Sequence, residues 1–330
     1  MILMGIILIS SIAVMLLGAT LFTNGIEWFG KRVNASEGAV GSIFAGVGTA
    51  LPETVIPIVA ILFGTTQEEL DVGVGAIIGA PFMLTTLTLP LLGAGLLIFA
   101  SLQKRSPSFS LDYDHVKRDL RYFLVPFGLA ILVTLSPHPI LRIGLAVFLI
   151  LIYVQYLKGI LGKGEHSGGE IGALYFYSGH NPPPYWAISL QILLSLGVII
   201  GAAHFFVHGV TDISKILGVS PLILSLLITP VATELPEKLN SLIWIYQKKD
   251  TLAVGNITGA MVFQGTFPVS IGLIGTSWQL NHFAITSASL ALLSALIFYL
   301  FLKFRGHWKP VFLIAGALFY LVFGLYLQFH

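Results

Sequence analysis

Runs of about 20 apolar residues, the length that a helix needs to cross a bilayer, recur along this chain and constrain its fold more than any other feature. Charged residues make up 10% of the sequence, against about 25% in soluble domains. We therefore expect an all-α polytopic membrane protein. The sequence predicts ten spans, at residues 2–28, 36–63, 71–100, 120–136, 138–160, 184–212, 219–246, 251–276, 281–302 and 310–328.

The distribution of basic residues between the loops supports this count. If successive loops alternate sides, one set holds 14 Lys and Arg residues and the other holds 2, Arg142 and Lys215. Basic residues concentrate in cytoplasmic loops, so we expect both termini outside. A chain of this kind suits a prokaryotic inner membrane. No basic region precedes the first span, and we expect a retained helix there rather than a signal peptide.

Composition and missing motifs exclude several function classes. The formal net charge of +2 gives no reason to propose a nucleic acid as partner. The chain has no cysteine, which excludes disulfides and thiolate chemistry. It has no phosphate-binding loop of the G-x-x-x-x-G-K-[ST] type, so we do not expect ATP-driven pumping. We expect no enzyme and no cofactor, with inorganic cations and the lipid bilayer as partners. The oligomeric state stays open.

The two halves of the chain resemble each other. Residues 25–53 align without gaps to residues 209–237 with 8 identities in 29 positions, and both segments end in Thr-x-Leu-Pro-Glu. A Gly-x-Ile-x-Gly-Ala segment follows in each half. Five spans per half is an odd number, so the second half must be inverted, as in many secondary transporters. We expect five-helix repeats at 1–160 and 184–330, joined by a cytoplasmic linker at 161–183.

Each repeat places a glutamate inside an apolar span, Glu53 in the first and Glu237 in the second. A charge at bilayer depth costs several kcal/mol, so such residues usually face an interior cavity and mark an ion pathway. A structural ion pair or a protonated carboxyl would explain one such glutamate. Two glutamates at equivalent repeat positions favour an ion pathway.

The proline before each glutamate breaks the helix near the bilayer midplane. Proline has no N–H and clashes with the carbonyl four residues back, which frees the carbonyls of Gly48 and Ala232. Thr49 and Thr233 lie one turn before the glutamates, on the same helix face. Each half thus offers a carboxylate, a hydroxyl and a carbonyl oxygen, which suit Ca²⁺, Na⁺ or a similar cation. Taken singly, the prolines could be mere kinks, and the threonines could bond back to their own helices.

These motifs resemble the two signature repeats of the cation/calcium exchanger superfamily, best known as sodium/calcium exchangers. The usual forms are G-T-S-x-P-E and G-N-x-x-G-S. Residues 48–53 and 232–237 resemble the first form, and residues 255–260 resemble the second. The resemblance implies that both glutamates coordinate ions, helped by the threonines and by carbonyls of the broken helices. It also implies alternating access, in which the first and sixth spans slide over a fixed core.

The chain departs from this family pattern at six ion-site positions. The departures are Ala50 and Glu234 at the serine of the first motif, Ala80 and Ala260 at the serine of the second, and Leu84 and Gln264 at a position usually held by Asn or Asp. The first half thereby loses three side-chain oxygens, and the second half gains a carboxylate. We expect Glu234 and Gln264 to join the cation site, and the stoichiometry of exchange stays open.

Lys238 has two interpretations. It follows Glu237 directly and lies four residues after Glu234, which is the favourable Glu-to-Lys spacing on a helix. A structural Glu234–Lys238 pair is the interpretation that we favour. In the other, Lys238 is a tethered cation that competes with the substrate or gives up a proton, since buried lysines readily shift their pKa.

Two further groups of polar residues lie in or beside the spans. His204 and His208 have the i, i+4 spacing of a two-histidine metal site, which would need a third ligand from elsewhere. They lack the HExxH pattern of a metalloprotease, so polar residues on a packed or interfacial helix are the simpler interpretation. Residues 67–71 form an acidic loop, which we expect to be a solvated turn.

The sequence therefore predicts a secondary antiporter. We expect it to exchange a cation, first of all Ca²⁺, against Na⁺ or H⁺, because two carboxylates can neutralise one divalent ion, two monovalent ions or two protons. The alternatives are a proton-coupled exchanger, an exchanger for a cation other than Ca²⁺, an intramembrane enzyme built on His204 and His208, and an ion-binding membrane protein without transport.

Overall fold

The computed structural model describes residues 2–33, 50–136, 138–161, 172–179 and 182–329. Within those ranges every regular element is helical, as expected. Two predicted site residues, Gly48 and Thr49, lie outside the described residues.

The helices are numbered here in chain order. They are α1 (Ile2–Arg32), α2 (Leu51–Phe63), α3 (Gln67–Met83), α4 (Leu89–Ser101), α5 (Tyr113–Leu132), α6 (Pro139–Leu161), α7 (Tyr185–Leu217), α8 (Pro221–Thr233), α9 (Leu235–Tyr246), α10 (Asp250–Gln264), α11 (Phe267–Gly275), α12 (His282–Arg305), α13 (Pro310–Ile314) and α14 (Ala317–Phe329). A short π-helix, Leu84–Thr88, joins α3 to α4.

Seven helical segments within the described ranges are long and apolar enough to cross a membrane. They are Leu3–Arg32, Gln67–Ser101, Pro139–Ile160, Tyr185–Leu217, Asp250–Gly275, His282–Arg305 and Pro310–Phe329. The helices α2 and α8 are apolar but shorter. These segments coincide with seven of the expected spans. Of the other three, 219–246 is interrupted, 120–136 belongs to a helix that carries more charge, and 36–63 lies partly outside the described residues.

Among the described residues, helix interruptions divide three of the expected spans, and one of these, 310–328, is divided at residues 315–316 between α13 and α14. The span expected at 219–246 consists of α8 and α9, which are separated at Glu234. The span expected at 251–276 consists of α10 and α11, which are separated at residues 265–266. Because α10 ends at Gln264 and the π-helix begins at Leu84, the two halves are irregular at positions that correspond in the sequence repeat. Such π-turns inside helices often mark functional positions.

Two compact units make up the chain, and each draws on both halves of the sequence. The first unit comprises Met1–Gly73 and Val154–Pro221, and the second comprises Val74–Tyr153 and Leu222–His330. The first unit therefore contains α1, α2 and α7. The second contains the helices from α8 to α14, together with α4 and α5.

In the first unit, α1 packs along α7 through glycines. A Cβ added at Gly18 would lie 2.7 Å from Ile199, and one added at Gly25 would lie 2.8 Å from Ile192. Small residues of this kind let membrane helices approach closely. The contact positions advance along α1 while they recede along α7, so the two helices are antiparallel.

In the second unit, α3 packs closely on α8. A Cβ added at Gly79 would fall against the backbone of Leu226, and one added at Gly75 would fall against the carbonyl of Leu222. Here backbone meets backbone, so a side chain could be accommodated only if the helices moved apart. This contact holds α8, and with it the helix break at Glu234, against α3.

A buried ion pair fixes the start of α10 in the second unit. The two terminal guanidinium nitrogens of Arg105 each lie 2.6 Å from an oxygen of Asp250, and the side chains are 4% and 0% exposed. The carboxylate also accepts from the N–H of Ser110 at 2.8 Å. A bidentate pair of this kind is geometrically specific, so it ties the loop before α5 to the first turn of α10.

Candidate cation site

Glu234 occupies the break between α8 and α9. It is the residue before the first turn of α9, with φ −99° and ψ −35°, and it is 0% exposed. Pro236, two residues later, has no N–H, so the carbonyl of Ala232 lacks its usual helical donor. A carboxylate and a freed carbonyl are therefore close in sequence at a helix interruption.

Gln264 connects a second interruption to this one. It is the last residue of α10, it is 1% exposed, and its Nε2 donates to Oε1 of Glu234 at 3.1 Å. The structure thus brings together two of the predicted site residues where two interrupted helices end. A carboxylate oxygen and an amide carbonyl are both hard ligands of the kind that Ca²⁺ and Na⁺ accept.

Thr233 is buried next to Glu234, at 2% exposure. Its hydroxyl donates to the carbonyl of Thr229 at 2.9 Å, and the hydroxyl of Thr229 lies 2.9 Å from that of Ser225. The bond back to its own helix, considered above as the simple explanation, is therefore present. It uses the hydroxyl proton and leaves oxygen lone pairs that can serve as acceptors or ligands.

Lys238 is also buried, at 3% exposure. Its backbone N–H donates to the carbonyl of Glu234 at 2.9 Å, so the two charged residues lie one helical turn apart. A buried charge is tolerated when another charge compensates it. Both interpretations of Lys238, structural partner and tethered cation, require this proximity to Glu234.

Glu53 lies in the first turn of α2, in the first unit, and is 6% exposed. The hydroxyl of the next residue, Thr54, donates to the carbonyl of Ala50 at 2.6 Å, which closes the start of this helix. Its repeat counterpart, Glu237, belongs to the first turn of α9, but its side chain lies outside what the structure describes.

Two positions where the family pattern has oxygen-bearing side chains are apolar and buried here. Ala80 is 1% exposed and Leu84 is 0% exposed. Leu84 begins the π-helix, where Thr85 and Thr86 donate their hydroxyls to helix carbonyls, as in the 2.6 Å bond from Thr86 to Phe82. This segment of the second unit therefore offers no side-chain oxygen at either position.

Asp119 is a buried carboxylate that the sequence motifs do not single out. It lies on α5 with 0% exposure, and it accepts from Oγ1 of Thr258 on α10 at 2.7 Å. Nε2 of His115 lies 3.2 Å away, and a guanidinium nitrogen of Arg118 lies 3.3 Å away. The i, i+4 spacing of His115 and Asp119 is visible in the sequence, but nothing there identifies Thr258 as the partner.

The acidic segment at 67–71 is not the solvated turn that we expected. It forms the first turns of α3, and Glu69 is buried at 5% exposure. The reason is a capping box, in which a Thr and a Glu three residues later satisfy the free N–H groups at the start of a helix. The pattern Thr66-x-x-Glu69 could have been read from the sequence.

Among the described residues, no three His, Cys, Asp or Glu side chains form a metal cluster.

The chain is similar to known proteins in both sequence and fold. A family model described as sodium/calcium exchanger protein matches residues 3–161 and 188–330. The putative antiporter CaxA of Alkalimonas amylolytica is 26% identical over 311 residues, covering 92% of this chain and 90% of that protein. The inner membrane protein YrbG of Escherichia coli (strain K12) is 22% identical over 264 residues, covering 78% of this chain and 76% of that protein.

Two solved structures have a similar fold. The H⁺/Ca²⁺ exchanger CAX matches with a TM-score of 0.75 and 16% identity, covering 99% of this chain and 82% of that chain. The sodium-calcium exchanger NCX_Mj matches with a TM-score of 0.56 and 17% identity, covering 98% of this chain and 99% of that chain.

Proposed function

Because the chain belongs to the sodium/calcium exchanger protein family, we propose that it is a secondary antiporter that exchanges Ca²⁺ against Na⁺ or H⁺ by alternating access. The observation that carries this proposal is the buried contact of Glu234 with Gln264 between two interrupted helices. Transporters commonly build cation sites from such discontinuous helices.

The proposed ligand set combines carboxylates, hydroxyls and freed carbonyls. It consists of Glu53, Glu237, Glu234, Thr49, Thr233, Gln264, Gly48 and Ala232. The three glutamates carry −3 and Lys238 carries +1, which leaves a net charge of −2. That charge is neutralised equally by one Ca²⁺, two Na⁺ or two protons, so competition for it produces exchange. Coupled carboxylates of this kind titrate as a group.

The proposed architecture is ten membrane helices in two inverted five-helix repeats, at 1–160 and 184–330, with a cytoplasmic linker at 161–183. The antiparallel packing of α1 and α7 supports it, because these helices begin the two repeats and an inversion makes such equivalents antiparallel. The matched irregularities at Leu84 and Gln264 also support it. We place the chain in a prokaryotic inner membrane with both termini outside, in keeping with relatives named as a bacterial antiporter and an inner membrane protein.

Proton coupling is the second candidate, and buried Ala80 and Leu84 favour it. Bound Na⁺ ions need several oxygen ligands each, whereas a proton needs only a carboxylate. A chain that has replaced oxygen-bearing side chains by alanine and leucine has fewer ligands for Na⁺. A relative in fold is described as an H⁺/Ca²⁺ exchanger, which is compatible with this candidate.

Reconstitution into liposomes tests both candidates. We expect ⁴⁵Ca²⁺ uptake under an imposed Na⁺ or H⁺ gradient, and loss of that uptake in E53Q and in E237Q. Asp114→Asn is the matched control, because its carboxylate is 92% exposed and we expect its uptake to equal that of the unmodified chain. Uptake driven only by the H⁺ gradient would select proton coupling. Calcium binding without flux under either gradient would contradict the antiporter and support an ion-binding protein without transport.

A further inference from the structure

His204, His208 and Glu69 form a connected cluster in the first unit, and none of the three belongs to the ligand set proposed above for the transported cation. The Nε2 atoms of the two histidines lie 3.0 Å apart. Nδ1 of His208 lies 2.9 Å from Oε1 of Glu69. The cluster thus joins one face of α7 to the first turn of α3.

The capping box fixes Glu69 in this arrangement. Its Oε2 accepts from the N–H of Thr65 at 2.6 Å and from the N–H of Thr66 at 3.4 Å, while the N–H of Glu69 donates back to Oγ1 of Thr66 at 3.3 Å. One carboxylate oxygen is therefore used by the helix start. The other, Oε1, is held facing His208.

This contact determines which nitrogen of His208 is exposed to a ligand. An ionised carboxylate only accepts hydrogen bonds, so Nδ1 of His208 carries the proton and Nε2 presents a lone pair. A histidine whose second nitrogen donates to a carboxylate is the usual arrangement of a metal-ligating histidine, because it fixes the tautomer and raises ligand basicity. Glu69 supplies that orienting carboxylate here.

The separation of the two Nε2 atoms suits a shared metal ion. Two nitrogens that each lie about 2.0–2.1 Å from one metal are roughly 2.9 Å apart at a right angle and roughly 3.4 Å apart at a tetrahedral angle. The observed 3.0 Å is closer to the right angle, which is typical of tetragonal Cu²⁺ and Ni²⁺ sites with nitrogen and oxygen ligands. The ring centroids lie 4.4 Å apart and the rings are nearly perpendicular, at 86°.

A metal ion can reach these nitrogens from outside the fold. The side chain of His208 is 46% exposed, whereas that of Glu69 is 6% exposed, and His204 is exposed as well. Glu69 lies in the first turn of α3, so the cluster is at a helix end, and we assign the remaining coordination positions to water. With water in those positions, the site needs no third ligand from the protein. The spacing of the histidines alone had left that third ligand unidentified.

The geometry points to a transition-metal site on α7, in which His204 and His208 bind Cu²⁺ or Ni²⁺ through Nε2 and Glu69 orients His208. Its imidazole ligands separate it from the oxygen ligands proposed for Ca²⁺, because imidazole prefers transition metals while carboxylate and carbonyl groups prefer Ca²⁺. The site does not depend on transport and is present whether or not the chain is an antiporter.

Copper titration followed by electron paramagnetic resonance tests this site directly. The full chain, purified without a histidine tag in detergent and with excess Ca²⁺, should bind one Cu²⁺ with two coordinated nitrogens. We expect H204A and H208A to lose one nitrogen each. We expect E69Q to keep both nitrogens but to bind Cu²⁺ about tenfold more weakly, the usual cost of losing an orienting carboxylate.

Three comparisons make the result decisive. H307A is the matched control, because His307 is exposed in the segment after α12, and it should bind Cu²⁺ like the unmodified chain. H204Q serves as a second variant if H204A does not elute as a single species. The inference is overturned if both nitrogens persist in either single variant, or if the unmodified chain binds Cu²⁺ no better than the H204A/H208A double variant. An unchanged affinity in E69Q would overturn the role given to Glu69.

Discussion

Two buried carboxylates in the second unit are held in different ways. Asp119 is surrounded by a hydroxyl, an imidazole and a guanidinium within 3.3 Å, so three side chains fix the position of its carboxylate. Glu234 accepts an amide hydrogen from Gln264 beside a helix break and a buried lysine. Glu234 differs from Asp119 in lying at a helix interruption, and its role as a cation ligand stays a prediction.

Replacing Glu234 by glutamine tests its charge. The amide of E234Q can still accept from Gln264, but buried Lys238 loses a neighbouring negative charge, so a single species in size-exclusion chromatography is required before transport is compared. We expect the apparent affinity for Ca²⁺ in transport to fall roughly tenfold or more, because one unit charge at about 4 Å contributes on the order of 1 to 4 kcal/mol. ⁴⁵Ca²⁺ uptake at varied Ca²⁺ measures this, with D114N as control. Unchanged affinity would show that Glu234 serves only in the pair with Lys238.

Replacing Thr258 by valine tests the structural role of Asp119. The change removes the hydroxyl that donates at 2.7 Å while nearly preserving the shape of the side chain. We expect the free energy of unfolding to fall by about 1–3 kcal/mol, which is the cost of leaving a buried polar group without one of its hydrogen-bond partners. T20V is the control, because the hydroxyl of Thr20 is exposed and bonds only to its own helix. Thermal unfolding in detergent compares the two, and equal melting temperatures would contradict the prediction.

At the scale of elements, glycines allow close helix packing, and helix interruptions expose backbone groups. Glycines let α1 approach α7 and let α3 approach α8, which supplies packing where lipid provides no hydrophobic drive. Interruptions at Glu234 and at residues 265–266 expose backbone groups inside the protein, where irregular backbone is tolerated at membrane depth. Close packing at the glycines keeps the interrupted ends in fixed positions.

A pair of Gly→Ala substitutions separates packing from helix propensity. In G79A the added Cβ would fall against the backbone of Leu226, whereas nothing lies within 4 Å of a Cβ added at Gly128. We expect G79A to lower the stability by about 1–3 kcal/mol through overpacking. We expect G128A to raise it slightly, because alanine favours the helix by roughly 0.5–1 kcal/mol. The melting temperature in detergent should fall in G79A and rise in G128A, relative to the unmodified chain. A change in the same direction in both variants would contradict the α3–α8 contact.

At the scale of the whole molecule, the inverted repeat that we propose relates the two similar halves of the chain to transport. The helices α1 and α7, which begin the two proposed repeats, run in opposite directions, as an inversion requires. A site between inverted halves can therefore open to either side by nearly equivalent movements. Each of the two compact units combines segments of both halves.

The absence of native cysteine allows the topology to be measured cleanly. Four exposed residues in four different loops can each be replaced by a single cysteine. They are Lys104, His138, Gln247 and Ser277. On the ten-span layout we expect an impermeant thiol reagent to label H138C and S277C from outside intact cells. We expect K104C and Q247C to be labelled only after permeabilisation. Labelling of K104C and H138C from the same side would contradict the span between them, which contains α5.

The sequence alone determined those features that follow from local chemistry. Apolar runs predicted the membrane helices because length and hydropathy decide insertion, and Pro236 predicted the break before α9 because proline removes an N–H. The repeated Thr-x-Leu-Pro-Glu segments predicted the family, which the family match confirmed. The individual roles of Glu53 and Glu237 stay predictions.

The tertiary structure decided which residues meet across helices. Gln264 donates to Glu234 across 30 positions of sequence, and Thr258 donates to Asp119 across 139. Such pairs depend on how far one helix is shifted along another, and one residue of shift in a helix turns a side chain by about 100°. Motif spacing carries no information on that shift. For the same reason the spacing of His204 and His208 suggested a metal site, but only the packed structure added Glu69.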